Sequence, residues 1–242
     1  MLTISVEAFS PKPWPFAILR HNATALGPRP DWRLIAGKAG KNKRVDWSVA
    51  RLLSTDCASK EWVEAAKSMT SYGAWQNFYL PLFGRCILDA YPDIERKVGK
   101  RIGDWIVGRR MMDKKCDVNL DFQIGINTPT VDEESTVSVP HVDNPRELIG
   151  GLLYMREDGD EAGGDLRVLQ ADSPRYVRTT DLAPGVPFRH VATVPYGSDN
   201  GFIFMQSVNS VHDVTPRKPT DKPRLLVSLC AEMNFPLFEI PR

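Results

Sequence analysis

The sequence predicts a mainly β protein with a helical N-terminal cover, an α+β chain whose strands form an antiparallel sandwich or jelly roll. Three observations lead there. Up to about Cys116 the apolar residues recur at helical spacing, and beyond it short apolar runs alternate with Gly, Pro, Asp and Asn punctuation. The segment from Val118 to Asn127 alternates apolar and polar residues without a break. The later strands follow one another through turns with no helical pattern between them, which argues against a parallel sheet.

Taken in order, residues 15–25 hold the run Pro-Phe-Ala-Ile-Leu-Arg and read as a leading strand, and residues 27–42, rich in Gly, Pro and Lys, read as an exposed loop. Ser59 is a candidate N-cap for a helix that carries Trp62, Val63 and Ala66 on one face. Trp75, Phe78, Tyr79 and Leu82 continue at helical spacing, with Pro81 expected to restart a second helix. Ile94, Val98 and Ile102 extend the pattern toward Trp105. Such aromatic stripes are core, here the cover over one face of a sheet. On the first β segment Val118, Leu120, Phe122, Ile124 and Ile126 share one face, and Asn119, Asp121, Gln123, Gly125 and Asn127 the other. That polar face either meets water or lines a polar cavity. Further strands are expected at 148–155, 164–169, 191–194, 201–205 and 224–231.

A length of 242 residues suits one domain, with 1–115 as helical support and 116–242 as the β core. Lysine and arginine number 31 against 30 acidic residues, so the chain offers no basic footprint for nucleic acid and no polybasic membrane signal. Residues 1–20 hold no long apolar stretch, and no later run reaches the length of a membrane span. Four cysteines without CxxC spacing read as reduced thiols of a cytoplasmic protein.

Chemistry concentrates around two of the four histidines. In His141-Val-Asp143 the i, i+2 spacing of a strand delivers an imidazole and a carboxylate to one side. His212 stands 69 residues after Asp143, just beyond an apolar strand. Two neutral imidazoles and a carboxylate on one face of a metal leave the opposite positions open, the facial arrangement of non-haem Fe(II) oxygenases. Arg224, 12 residues after His212, opens Arg-Leu-Leu-Val-Ser228, and period two puts Arg224 and Ser228 on one face. A guanidinium at the head of so apolar a strand needs a partner, either a carboxylate in a surface pair at the strand edge or a bound dicarboxylate. Tyr154 ends an apolar run 13 residues after His141, and its hydroxyl needs an acceptor. The paired Gly163-Gly164 marks a tight bend or a close backbone approach.

The ordered series His141-Val-Asp-Asn-Pro145, Leu-Tyr154-Met, Gly163-Gly-Asp-Leu, His212-Asp-Val-Thr-Pro216 and Arg224 to Ser228 resembles the 2-oxoglutarate/Fe(II)-dependent oxygenase superfamily, in its prolyl-hydroxylase-like branch. The resemblance covers roughly residues 118–234 and implies a double-stranded β-helix, a cupin-like jelly roll. It implies that His141, Asp143 and His212 bind Fe(II), and that Arg224, Tyr154 and Ser228 bind the distal carboxylate of 2-oxoglutarate. Gln123 and Asn127 are further candidates near the co-substrate. Asn144 and Arg146, directly after the HxD, are candidates for the substrate mouth, and residues 128–140, with Asp132, Glu133 and Glu134, for either a lid or a surface loop. Catalysis then needs no residue beyond the metal ligands. With O₂ as oxidant the expected reaction is hydroxylation of an unactivated C–H bond, with release of succinate and CO₂. Asp143 favours that outcome, because related halogenases lose this carboxylate. The substrate is a small metabolite, an amino acid or a peptidyl residue. Two alternatives stay open: a cupin-like metal enzyme that does not use 2-oxoglutarate, and a non-catalytic jelly-roll binding module.

Overall fold

A computed structural model describes residues 1–136, 138–172 and 187–239. Eleven strands among them form two sheets: β1 Ile4–Ser10, β2 Phe16–His21, β3 Arg44–Trp47, β4 Val107–Arg109, β5 Val118–Asn127, β6 Glu147–Tyr154, β7 Leu166–Ala171, β8 Phe188–Val194, β9 Asn200–Met205, β10 His212–Val214 and β11 Arg224–Met233. The larger sheet runs β1-β2-β9-β6-β11-β5-β3, with β4 also on β5, and the smaller runs β10-β7-β8. Every pairing is antiparallel except β4 with β5. The predicted jelly roll is therefore present, its order of strands produced by crossing between the sheets.

The helices are α1 Trp32–Ala36, α2 Val49–Leu53, α3 Lys60–Met69, α4 Tyr72–Ala74, α5 Leu80–Ala90 and α6 Ile94–Val98. They cover the outer face of the larger sheet, where Trp62, Trp75, Tyr79, Phe83 and Trp105 join the apolar face of β5 and alternate residues of β11 in the main core. A second core lies between the sheets, built from Trp14, Phe16, Tyr154, Leu166, Val168, Tyr196, Phe202 and Phe204. The alternation on β5 and β11 separates these two environments, since successive side chains leave opposite faces.

The leading strand, the α3 helix and every expected β-block strand are present, with ends shifted by a few residues. Three expectations change. Pro81 lies in the first turn of α5, as expected for the start of a second helix, but the chain reaches it without a break, through a π-helical turn at Trp75–Tyr79 that links α4 to α5. Residues 27–42 contain the short helix α1, capped when Asp31 accepts the Arg33 N–H at 2.9 Å. Residues 128–140, apart from 137, are pinned through Thr130 to Thr220 and Ser135 to Arg217 as isolated bridges. Among the described residues no helix is long and apolar enough to cross a membrane.

Candidate metal and keto-acid site

His141 and His212, distant in sequence, are joined directly. Each backbone N–H donates to the other's carbonyl at 3.0 Å, extending the small sheet by one rung. Their rings lie 4.5 Å apart between centroids. Nε2 of His141 is 3.2 Å from one oxygen of Asp143, and Nε2 of His212 is 3.5 Å from the other. One ligand atom from each of the three residues lies within 4.8 Å of the others. The opposite ring edges face carbonyls: His141 Nδ1 meets Val139 O at 2.7 Å and His212 Nδ1 meets Ser210 O at 3.0 Å. A carbonyl can only accept, so in the neutral rings Nδ1 carries the proton and the Nε2 lone pair points inward.

The electrostatics suit a cation. Burial works against charge on Asp143, but the two imidazoles and the Gln206 amide hold its carboxyl well below the ordinary carboxylate range. Burial pushes His212 below the ordinary imidazole value, which favours the neutral ligating form. On His141 burial is outweighed by Asp143, and its value is raised. Gln206 donates to Asp143 Oδ2, and this contact depends on Gly150: a Cβ there would stand 3.0 Å from Gln206 Nε2 and 3.2 Å from the Phe204 ring. Phe204 in turn packs on the His212 ring at 4.8 Å between centroids.

A cleft of about 350 Å³ opens over this group, lined in part by Gln123, Leu152, Arg224, Ser228 and Cys230. Of the polar face of β5, Gln123 lines this cavity. At one end Arg224, only 1% exposed, donates through Nε to Gly164 O at 2.9 Å, while its Nη2 has no partner among the described residues. Its guanidinium sits 4.8 Å from the Tyr154 ring and 5.3 Å from the Tyr196 ring. The Tyr154 hydroxyl is likewise buried and unpartnered, and burial keeps the phenol protonated as a donor. The Gly163-Gly164 bend explains itself here. At Gly164, with φ +96°, a Cβ would press to 3.0 Å on Arg217 and 3.1 Å on Arg224, so the bend closes around both arginines. Arg217 is a structural counterpart, its buried guanidinium 3.1 Å from Asp160.

The other sequence candidates fall in different places. Ser228 lines the cleft and accepts from Arg44 Nη2 at 2.6 Å, and Gln123 lines it while donating to Asp121 at 2.7 Å. Asn127 is fully buried opposite Arg224 in the strand register, with both amide atoms unpartnered among the described residues, and it does not line the cleft. Asn144 and Arg146 are exposed and outside the cleft lining, because the Asn144 carboxamide folds back to accept the Arg146 N–H at 3.0 Å. Sequence reasoning missed Arg44, Asp46, Arg110, Glu147 and Gln206. Arg44 and Asp46 had a signal, since they occupy alternate positions of Arg-Val-Asp-Trp47. For the rest only the tertiary juxtaposition tells.

This donor set fits Fe(II), and the buried, unpartnered Arg224 and Tyr154 donors fit a carboxylate. No family model matches the chain, and no curated protein matches it. Among solved structures it is similar to a prolyl-4-hydroxylase from Pseudomonas putida at 17% identity, covering 48% of this chain and 53% of that one with a TM-score of 0.30. It is similar to an oxidoreductase of the 2OG-Fe(II) oxygenase family from Burkholderia pseudomallei at 12% identity, with coverage of 52% and 47% and a TM-score of 0.28. A non-haem α-ketoglutarate-dependent carbocyclase, SnoK from nogalamycin biosynthesis, aligns at 10% identity over 90% of this chain and 79% of its own, with a TM-score of 0.39. The chain thus spans about half the length of the first two. These neighbours are prolyl-4-hydroxylase and 2-oxoglutarate/iron oxygenase structures, while the functional reading below rests on the site itself.

Proposed function

We propose that the protein is a 2-oxoglutarate- and O₂-dependent Fe(II) oxygenase that hydroxylates a C–H bond of a small molecule, amino acid or peptidyl residue. One observation carries this reading: a three-residue metal group shares one cleft with Arg224, whose buried guanidinium packs on Tyr154 and forms with it a guanidinium–phenol pair that lacks partners among the described residues. A metal enzyme that did not use a dicarboxylate would have no use for that pair. Bound Fe(II) with 2-oxoglutarate and O₂ supplies oxidative decarboxylation to succinate and CO₂, and delivery of one oxygen atom to the substrate.

The chain's own part is positional. Val139 and Ser210 carbonyls fix the tautomers of His141 and His212, and Gln206 turns Asp143 toward them. Arg224 and Tyr154 donate to the distal carboxylate and so set which way the co-substrate lies. Phe204 lines the cleft beside His212, backed by Phe202 and Trp14 in the core between the sheets, and gives the site an apolar wall. The test is anaerobic titration with Fe(II) and 2-oxoglutarate, followed through the weak visible charge-transfer band. The band should form in the wild type and vanish in His141→Ala. Its absence from the wild type overturns the proposal.

A further inference from the structure

The register divides the cleft lengthwise. Asp121, Cys230, Gly150 and Phe204 form one row across β5, β11, β6 and β9, and Phe204 packs on His212, so the metal group sits above this row. Arg224 lies six residues along β11 to one side. To the other side Glu232 pairs with Glu147, and Arg110 reaches in from beyond β4. This second end lies away from Arg224, and its charges do not balance. Asp121 is engaged by the Val49 N–H at 2.8 Å and by Gln123, and Arg110 is held by Glu232 at 2.7 Å and Asp121 at 3.5 Å. Glu147, half-buried in the cleft wall, has no side-chain hydrogen bond and no ion-pair partner among the described residues. Loading the site supplies no spare positive charge. Iron would be matched by Asp143 and the keto-acid end of the co-substrate, and Arg224 by the distal carboxylate.

Resting on the oxygenase reading, we infer that the substrate carries a cationic nitrogen, an amine or a guanidine, and that Glu147 receives it beside the metal group. Burial, Asp143, Glu232 and Asp121 together raise the Glu147 carboxyl well above the ordinary range, against the opposing pull of Arg110. An arriving cation offsets that repulsion and draws the carboxyl into its ionised form, its proton passing to solvent, whereas an anionic or neutral group of the same shape does not. The pair would also set regiochemistry, because it fixes the distance from the charged nitrogen to the C–H bond over the metal.

The experiment uses the full chain, metal-free and again with Zn(II) plus 2-oxoglutarate, and saturation-transfer NMR at neutral pH. The probes are n-butylammonium and n-butylguanidinium against n-butanol and n-butyrate. The cations should bind at least tenfold tighter than the other two, shift the amides of Glu147, Gly150 and Cys230, and lose that preference in Glu147→Gln. Butanol matching the cations, no detectable cation binding, or an undiminished preference in Glu147→Gln overturns the inference. Should Glu147→Gln fail to fold, the wild-type selectivity and amide shifts decide alone. 2-Oxoglutarate binding is measured on the same samples. Its loss with cation selectivity intact sinks the oxygenase reading, and the reverse sinks only the substrate class.

Discussion

Replacing Arg224 by methionine should separate its two roles by sign. In the protein without co-substrate, Arg224→Met removes one hydrogen bond from a charged donor to Gly164 O, about 1.5–3 kcal/mol, and cation–π contacts with two tyrosines, about 0.5–2 kcal/mol each. It also removes a fully buried guanidinium whose Nη2 has no partner and which feels the like charge of Arg44 and Arg217, and the desolvation penalty of such an ion is several kcal/mol. A methionine of similar length fills the space with flexible apolar atoms. The sum lies close to zero, so the variant's unfolding free energy in urea should stay within about 1 kcal/mol of wild type or exceed it. Binding moves the other way. A distal carboxylate left without its buried partner costs about 3–5 kcal/mol, a roughly 10²–10⁴-fold weaker dissociation constant for 2-oxoglutarate. Calorimetric titration under nitrogen with Zn(II) in place of iron reads that constant. A variant that loses more than about 2 kcal/mol of stability and binds 2-oxoglutarate within about threefold of wild type would refute the reasoning, because Arg224 would then be a structural residue.

Gly164→Ala places a Cβ at a positive φ of 96° and against both arginines, and should lower stability by about 1–3 kcal/mol in urea melts while weakening 2-oxoglutarate binding. A loss of stability with unchanged binding would show that the bend does not position Arg224. For Glu147 the sign follows from a folded value raised above the unfolded 4.5 to about 8. The protonated form is the one the fold favours, so its contribution is complete below about pH 4.5 and is lost as pH rises through 8. In metal-free protein Glu147→Gln should therefore match wild type near pH 4 and be more stable by about 1–3 kcal/mol near pH 8.5, less than the full shift implies because the cleft admits water. Paired thermal melts across that range check it, and a constant difference at all pH values would contradict it.

Much of this molecule was legible in the sequence because its strands obey a simple period. The five apolar residues of β5 could only be one buried face, and their polar partners one other face. Whether that other face was wet depended on the small sheet lying across it, a contact between residues far apart in the chain. The same limit explains β1, β3 and β4. Ile4–Ser10 is almost wholly exposed, and β3 and β4 are four and three residues long, too short for alternation to stand out. The π-helical turn was hidden because Pro81 carries the same local signal whether a helix restarts or merely changes its bonding pattern.

The metal group could be read from spacing because two of its ligands lie two residues apart on one strand-like segment, and the third closes a reciprocal backbone bridge. The residues that give the cleft its polarity lacked any such local mark. Arg44 reaches Ser228 across β5, and Arg110 reaches Glu232 across the same strand, so each cation is defined only by the sheet beneath it. The result is a cleft with opposite characters at its two ends. Two guanidiniums, Arg44 and Arg224, stand on the side where a dicarboxylate is proposed, and Glu147 and Glu232 outnumber Arg110 on the other. Arg44 is already matched by Asp46 at 2.8 Å, and Arg110 by Glu232. That leaves Arg224 and Glu147 as the two groups flanking the metal group without a partner of opposite charge among the described residues, the first a guanidinium and the second a carboxyl that the fold holds in its protonated form. A buried ion without a partner is costly to keep. Arg224 is such an ion, and at the other end of the same cleft Glu147 escapes that cost by keeping its proton; an anion at the first and a cation at the second would each supply the missing partner.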